Sequence, residues 1–115
     1  MARSDQMDKQ RKLVDVLYQR TKDGLLDWKL TPVSERYQVS FANYSIQIGE
    51  RENDYVIYLV DNEGDVADEF SDDDLGSGGY YSHMKEMHGL ARRQARGVDN
   101  LLNAILSELE HPAQG

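Results

Sequence analysis

The apolar pattern of this chain predicts an α+β fold: an N-terminal helix, a four-stranded antiparallel β-meander, and a long C-terminal helix packed on one sheet face. Three observations carry that expectation. Leu13, Val14, Leu17, Tyr18 and Thr21 recur at three- and four-residue spacing. Between Tyr37 and Phe70, apolar and polar residues alternate in short runs separated by turn residues. From Tyr80 onward the helical period returns, through Met84, Met87, Ala91, Ala95, Val98, Leu102, Ile105 and Leu109, without losing phase. At 115 residues the whole chain, 1–115, suits one domain with a core large enough to need no disulfide or metal.

The first helix is expected over about residues 5–22, its apolar positions sharing one face. Gly24 supplies the left-handed residue that closes it, with Leu25 free to fold back on the last turn. Leu25, Leu26 and Trp28 form a connector ending at Pro32, where a lone Trp plugs the gap between the helix and the next layer. Strands follow at about 36–42 and 44–49, with Ala42-Asn43 as a tight hairpin, since Asn tolerates positive φ. Gly49 to Asp54 is a polar turn. Tyr55 to Val60 is apolar on both faces and should be an interior strand, at about 55–60. Asp61 to Asp65 turns with Gly64 at the positive-φ position, and about 66–70 makes a fourth, edge strand whose exposed positions are acidic.

The last helix is expected over about 80–110, stopped by Pro112, with Gly97-Val98-Asp99 as its weak point for a kink or break. Unbroken, it would run roughly 46 Å at 1.5 Å per residue. Four strands at 4.8 Å spacing cover only about 15–20 Å. That excess predicts a homodimer through the C-terminal helix, around Leu101, Leu102, Ile105 and Leu109. Expected core residues are Leu17, Trp28, Phe41, Ile46, Ile57, Leu59, Leu90 or Ala91, Leu102 and Ile105.

Charge is distributed unevenly. Residues 52–84 hold ten acids and no Lys or Arg, whereas the flanking segments are close to neutral, and the net charge is −8. Such a field repels nucleic acid and anionic lipid and attracts basic surfaces. Direct nucleic-acid binding and membrane association are therefore not expected. Cysteine is absent, which excludes disulfides and thiolate metal sites and suits a reducing cytoplasm. The first twenty residues are charged throughout, so no secretory signal is expected, and no apolar run is long enough to span a bilayer.

Motifs for chemistry fail one by one. Asp61, Glu63 and Asp65 have the spacing that opens an EF-hand, with Asp72 at the twelfth position, but Val66 occupies the sixth position, where Gly makes the sharp turn. Gly76-Ser77-Gly78-Gly79 precedes a helix, yet Tyr80-Tyr81 stand where a Walker loop needs Lys-Ser/Thr. His83 and His88, five apart on one helix, diverge by about 140° and cannot chelate one ion. No nucleophile is spaced against them, so neither an enzyme nor a cofactor or metal is expected. Arg92, Arg93 and Arg96 suggest pairing with the acidic edge or exposure to solvent.

The expected function is that of a non-catalytic acidic interaction domain, with a basic surface on another protein as its partner. Asp61, Glu63, Asp65, Asp68, Glu69, Asp72, Asp73 and Asp74 would supply the charge, and the amphipathic Tyr80 and Tyr81 the contact area. By analogy, small acidic nucleic-acid mimics, including phage-encoded inhibitors, occupy the basic surface of a nucleic-acid-handling protein in this way. Two alternatives stay open: a small enzyme or ligand-binding protein with an unrecognised carboxylate site, and a structural dimerisation module.

Overall fold

The computed structural model of the chain describes residues 2–111 and has an α+β architecture. Helix α1 (Ala2–Lys22) leads into strands β1 (Lys29–Leu30), β2 (Tyr37–Ser40), β3 (Ser45–Arg51), β4 (Asp54–Val60) and β5 (Val66–Ser71). A single 3-10 turn (Asp73–Leu75) and helices α2 (Tyr80–Ala95) and α3 (Val98–Glu110) follow. The strands form one antiparallel sheet in sequence order, β1 to β5.

Register sorts the side chains into two faces. Tyr37, Ile48, Ile57 and Phe70 stand opposite one another across β2–β5, and Val39, Ile46 and Leu59 form the next row. Because side chains alternate along each strand, all of these share one face. Met84, Met87 and Ala91 of α2 close over it, and Val14 and Leu17 bring α1 into the same cluster. Trp28 plugs the junction as expected, 1% exposed, its ring N–H donating to Thr21 Oγ1 at 3.1 Å. Gln94 of α2 fixes the connector from both sides: its Oε1 accepts from the Trp28 N–H and its Nε2 donates to the Leu26 carbonyl.

Among the described residues, the helical core cluster lies on that first face and not on the other. Gln38, Gln47, Tyr58 and Glu69 form a row there, with the Arg36 guanidinium 3.9 Å above the Tyr58 ring. This stacking explains Gly49, which lies inside β3 and not in a turn. A Cβ at Gly49 would sit 3.3 Å from the Tyr58 ring and 3.6 Å from Arg36. Val56, Tyr58 and Val60 are buried on this face, so β4 is apolar on both sides, as its sequence requires.

Several expectations are corrected. The sheet has five strands: β1 pairs Lys29 with Gln38 and Leu30 with Tyr37, and both β1 residues are exposed, which leaves no alternation to read. Phe41 is 40% exposed because β2 ends at Ser40 and Phe41 opens the hairpin, its N–H donating to Tyr44 O at 2.8 Å. The β3–β4 turn is short, with Glu52 at φ +58. The C-terminal helix breaks at Gly97, whose φ of +62 is a left-handed conformation that only glycine adopts freely. Past that break Leu102 and Ile105 are exposed and belong to no core; Leu59 and Leu90 are half-buried. Pro112 lies outside the described residues.

Candidate functional site

The acids gather along the β5 edge. Strand β5 bonds to β4 on one side and, among the described residues, has no strand on the other. The Asp72 N–H donates to Tyr55 O at 3.0 Å, so alternation turns the amides of Glu69 and Ser71 outward. Carboxylates occupy both. Asp68 Oδ1 accepts from the Glu69 N–H at 2.9 Å, and Asp74 Oδ2 accepts from the Ser71 N–H at 2.9 Å. Asp61 Oδ1 holds its own turn by accepting from the Glu63 and Asp65 amides at 3.0 and 3.1 Å. Asp72 is buried, and its Oδ1 accepts from the Tyr55 N–H at 2.8 Å.

The expected partner-binding residues therefore divide into two groups. Asp61, Asp68, Asp72 and Asp74 each bind backbone, and the buried Asp72 is not a surface charge at all. Glu69 is paired with Arg51 at 3.2 Å, both side chains about half exposed. Glu63, Asp65 and Asp73 are exposed. Tyr80 is half-buried against the core, while Tyr81 is 45% exposed and tilts against Tyr55 at 5.6 Å. The fold thus brings Asp72 and Tyr81 together on Tyr55 at one end of β5, with Asp73 and Asp74 next along the chain. Asp61, Glu63 and Asp65 stand at the other end, about 20 Å away for six residues of strand.

Between the ends lies an open depression of about 280 Å³, lined by Gln6, Met7 and Gln10 of α1 and by Asp68, Glu69, Phe70 and Asp74. It combines the carboxylates of Asp68 and Asp74 with an apolar floor at Phe70, a lining that suits the stem and head of a Lys or Arg side chain, while the Glu69 side chain stands on the opposite sheet face with Arg51. The local field is felt at Asp54, whose pKa is raised, first by desolvation and then by the charges of Asp72, Asp73 and Glu52.

A second polar constellation joins α2 to the loop before β2. Glu35, at φ +61, receives Arg96 at 2.9 Å and Arg92 at 3.5 Å on its carboxylate, together with the Tyr37 hydroxyl at 3.1 Å. The buried His88 meets the Glu35 carbonyl through Nε2 at 2.8 Å and lies against the Tyr37 and Tyr55 rings. Burial is the main reason that the Tyr37 and Tyr55 pKa values are raised. Arg92 and Arg96 are thus paired, with Glu35 and not with the acidic edge. The sequence signal for this clasp is the i, i+4 pair of arginines, which calls for a carboxylate expected at the acidic edge and found at Glu35. His83 is held elsewhere, stacked on Tyr18 with ring centroids 4.6 Å apart.

Among the described residues no three His, Cys, Asp or Glu side chains are grouped so as to hold a metal ion. No helix of the described residues is long and apolar enough to cross a membrane. No family model, curated protein or solved structure matches this chain.

Proposed function

We propose that the chain is a non-catalytic interaction domain whose β5 edge engages a basic surface on a partner protein. The observation that carries this reading is the depression in which Asp68 and Asp74 flank the buried Phe70, with Glu63, Asp65 and Asp73 exposed beyond its two ends. A Lys or Arg entering it meets carboxylates already oriented by their bonds to backbone amides, so little side-chain entropy remains to be lost on binding. The outlying acids speed encounter by long-range attraction. A row of carboxylates about 20 Å long also resembles a stretch of phosphates, and the partner surface most complementary to it is one that otherwise binds nucleic acid.

One observation favours a second, compatible reading. Asp68 and Asp74 cover the outward amides of Glu69 and Ser71, which is how a sheet edge is kept from pairing with another chain. The two readings assign different acids: edge protection needs Asp68 and Asp74, whereas recruitment of a partner also needs Glu63, Asp65 and Asp73. Affinity capture at low salt with two baits, the wild-type chain and a Glu63→Gln/Asp65→Asn/Asp73→Asn variant, separates them. A protein retained by the first bait, released by salt and lost from the second supports the binding reading. Identical captures from both baits overturn it.

A further inference from the structure

Among the described residues, helix α3 carries more exposed large apolar side chains than any other element. Leu101, Leu102, Ile105, Leu106 and Leu109 are 57, 46, 47, 51 and 71% exposed, and the helix has no buried residue. At 100° per residue, Val98, Leu101, Leu102, Ile105 and Leu109 fall within about a 100° arc, and Leu106 borders it. Asn100, Asn103 and Ser107 occupy the opposite side. A helix of 13 residues is marginal in water without tertiary contacts, so a stripe of this kind needs an occupant.

We infer that the occupant is a second copy of this chain, its α3 lying antiparallel on the first. Charge along the helix selects this arrangement. The root of α3 adjoins Arg92, Arg93 and Arg96 at the end of α2; Glu35 pairs with Arg92 and Arg96 and Asp99 with Arg93, so three arginines against two carboxylates leave one positive charge in excess there. The tip carries Glu108 and Glu110, and α3 contains no Lys or Arg. Antiparallel pairing sets each acidic tip against the other copy's basic root, twice over by two-fold symmetry. A parallel pair would set tip against tip and root against root. The stripe is also self-complementary about its midpoint, between Leu102 and Ile105. A helix about 20 Å long and 10 Å wide covers less than a standard interface, so the dimer is a weak one that dissociates on dilution below about 100 µM. This inference concerns a surface apart from the β5 edge and stands whether or not that edge binds a partner.

The chain has no cysteine, so introduced thiols report contacts without background. Sedimentation equilibrium of the full chain should show a concentration-dependent dimer. Ile105→Glu should abolish it without changing thermal unfolding of the dilute chain, because Ile105 supports no core. Under mild oxidation Val98→Cys mixed with Leu109→Cys should give the mixed disulfide, whereas Leu109→Cys alone should give little homodisulfide, since antiparallel pairing places the two copies of residue 109 at opposite ends. A strict monomer at several hundred micromolar, a dimer that survives Ile105→Glu, or efficient self-crosslinking of Leu109→Cys would each overturn the inference.

Discussion

Asp72 provides the sharpest test of how the acidic run is built into the fold. Its backbone N–H donates to Tyr55 O while its Oδ1 accepts from the Tyr55 N–H, so one residue closes both sides of the first β4–β5 linkage. Asp72 and Tyr55 are both 8% exposed, so solvent has little access to replace a lost acceptor. Asp72→Ala leaves the Tyr55 amide buried and unpaired, at a cost of about 1–3 kcal/mol, toward the upper part of that range because the acceptor is a carboxylate. Asp72→Asn keeps the Oδ1 acceptor and removes a charge that crowds Asp54. Its net effect should be within about 0.5 kcal/mol of zero. Urea unfolding of the two variants beside wild type gives the comparison, with the midpoint shifting and the slope unchanged if only stability has altered. The expected result is a large loss for Ala and almost none for Asn. Equal losses would mean that charge, and not the hydrogen bond, fixes Asp72. No loss for either would mean that the linkage contributes nothing.

Other outcomes follow from burial and charge. Ile57 is fully buried on β4 between Ile48 and Phe70, so Ile57→Ala should cost about 2–5 kcal/mol in denaturant unfolding. Leu102→Ala, a comparable deletion on the exposed face of α3, should stay within about 0.5 kcal/mol in dilute solution; a loss at Ile57 below about 1 kcal/mol would contradict the core described above. Asp54 has a folded-state pKa above its ordinary value of 3.8, so the folded chain binds this proton more tightly than the unfolded chain does. Its contribution therefore lowers stability as pH rises through that window and remains a small deficit at neutral pH. Asp54→Asn should be slightly more stable than wild type at pH 7, the gap closing as pH falls below 3.8; an Asn variant that is less stable at neutral pH would refute this.

What was legible in the sequence depended on whether its cause was local. The α1 face, the left-handed Gly24 and Gly64, and the two-sided β4 follow from residues within a few positions of one another, and all are present. Gly49 looked like a turn residue because glycine usually is one; its real reason is the approach of Tyr58 and Arg36, from two other segments of the chain. Strand β1 owes its existence to pairing with β2, and its two exposed residues carry no pattern of their own. Periodicity could not separate Met84 and Met87 from Leu102 and Ile105, since a stripe facing a sheet and a stripe facing solvent have the same spacing. The acidic edge was legible as charge on an edge strand. The division of labour within it was not, because neighbours as alike as Asp72 and Asp73 differ only in whether an amide of β4 lies within reach.

The central claim is that exposed charge on the β5 edge recruits a basic partner surface, and association kinetics test it most directly. With the partner obtained by affinity capture, the association rate should be compared between wild type and Glu63→Gln/Asp65→Asn/Asp73→Asn across a salt series. Exposed charges act over about 8 Å at physiological ionic strength and several times farther in dilute salt. The prediction is that the variant associates several-fold more slowly at low salt, that the two rates converge as salt rises, and that dissociation changes little. Indistinguishable association rates at low salt would contradict the claim and leave the acids of β5 with the task of guarding a sheet edge.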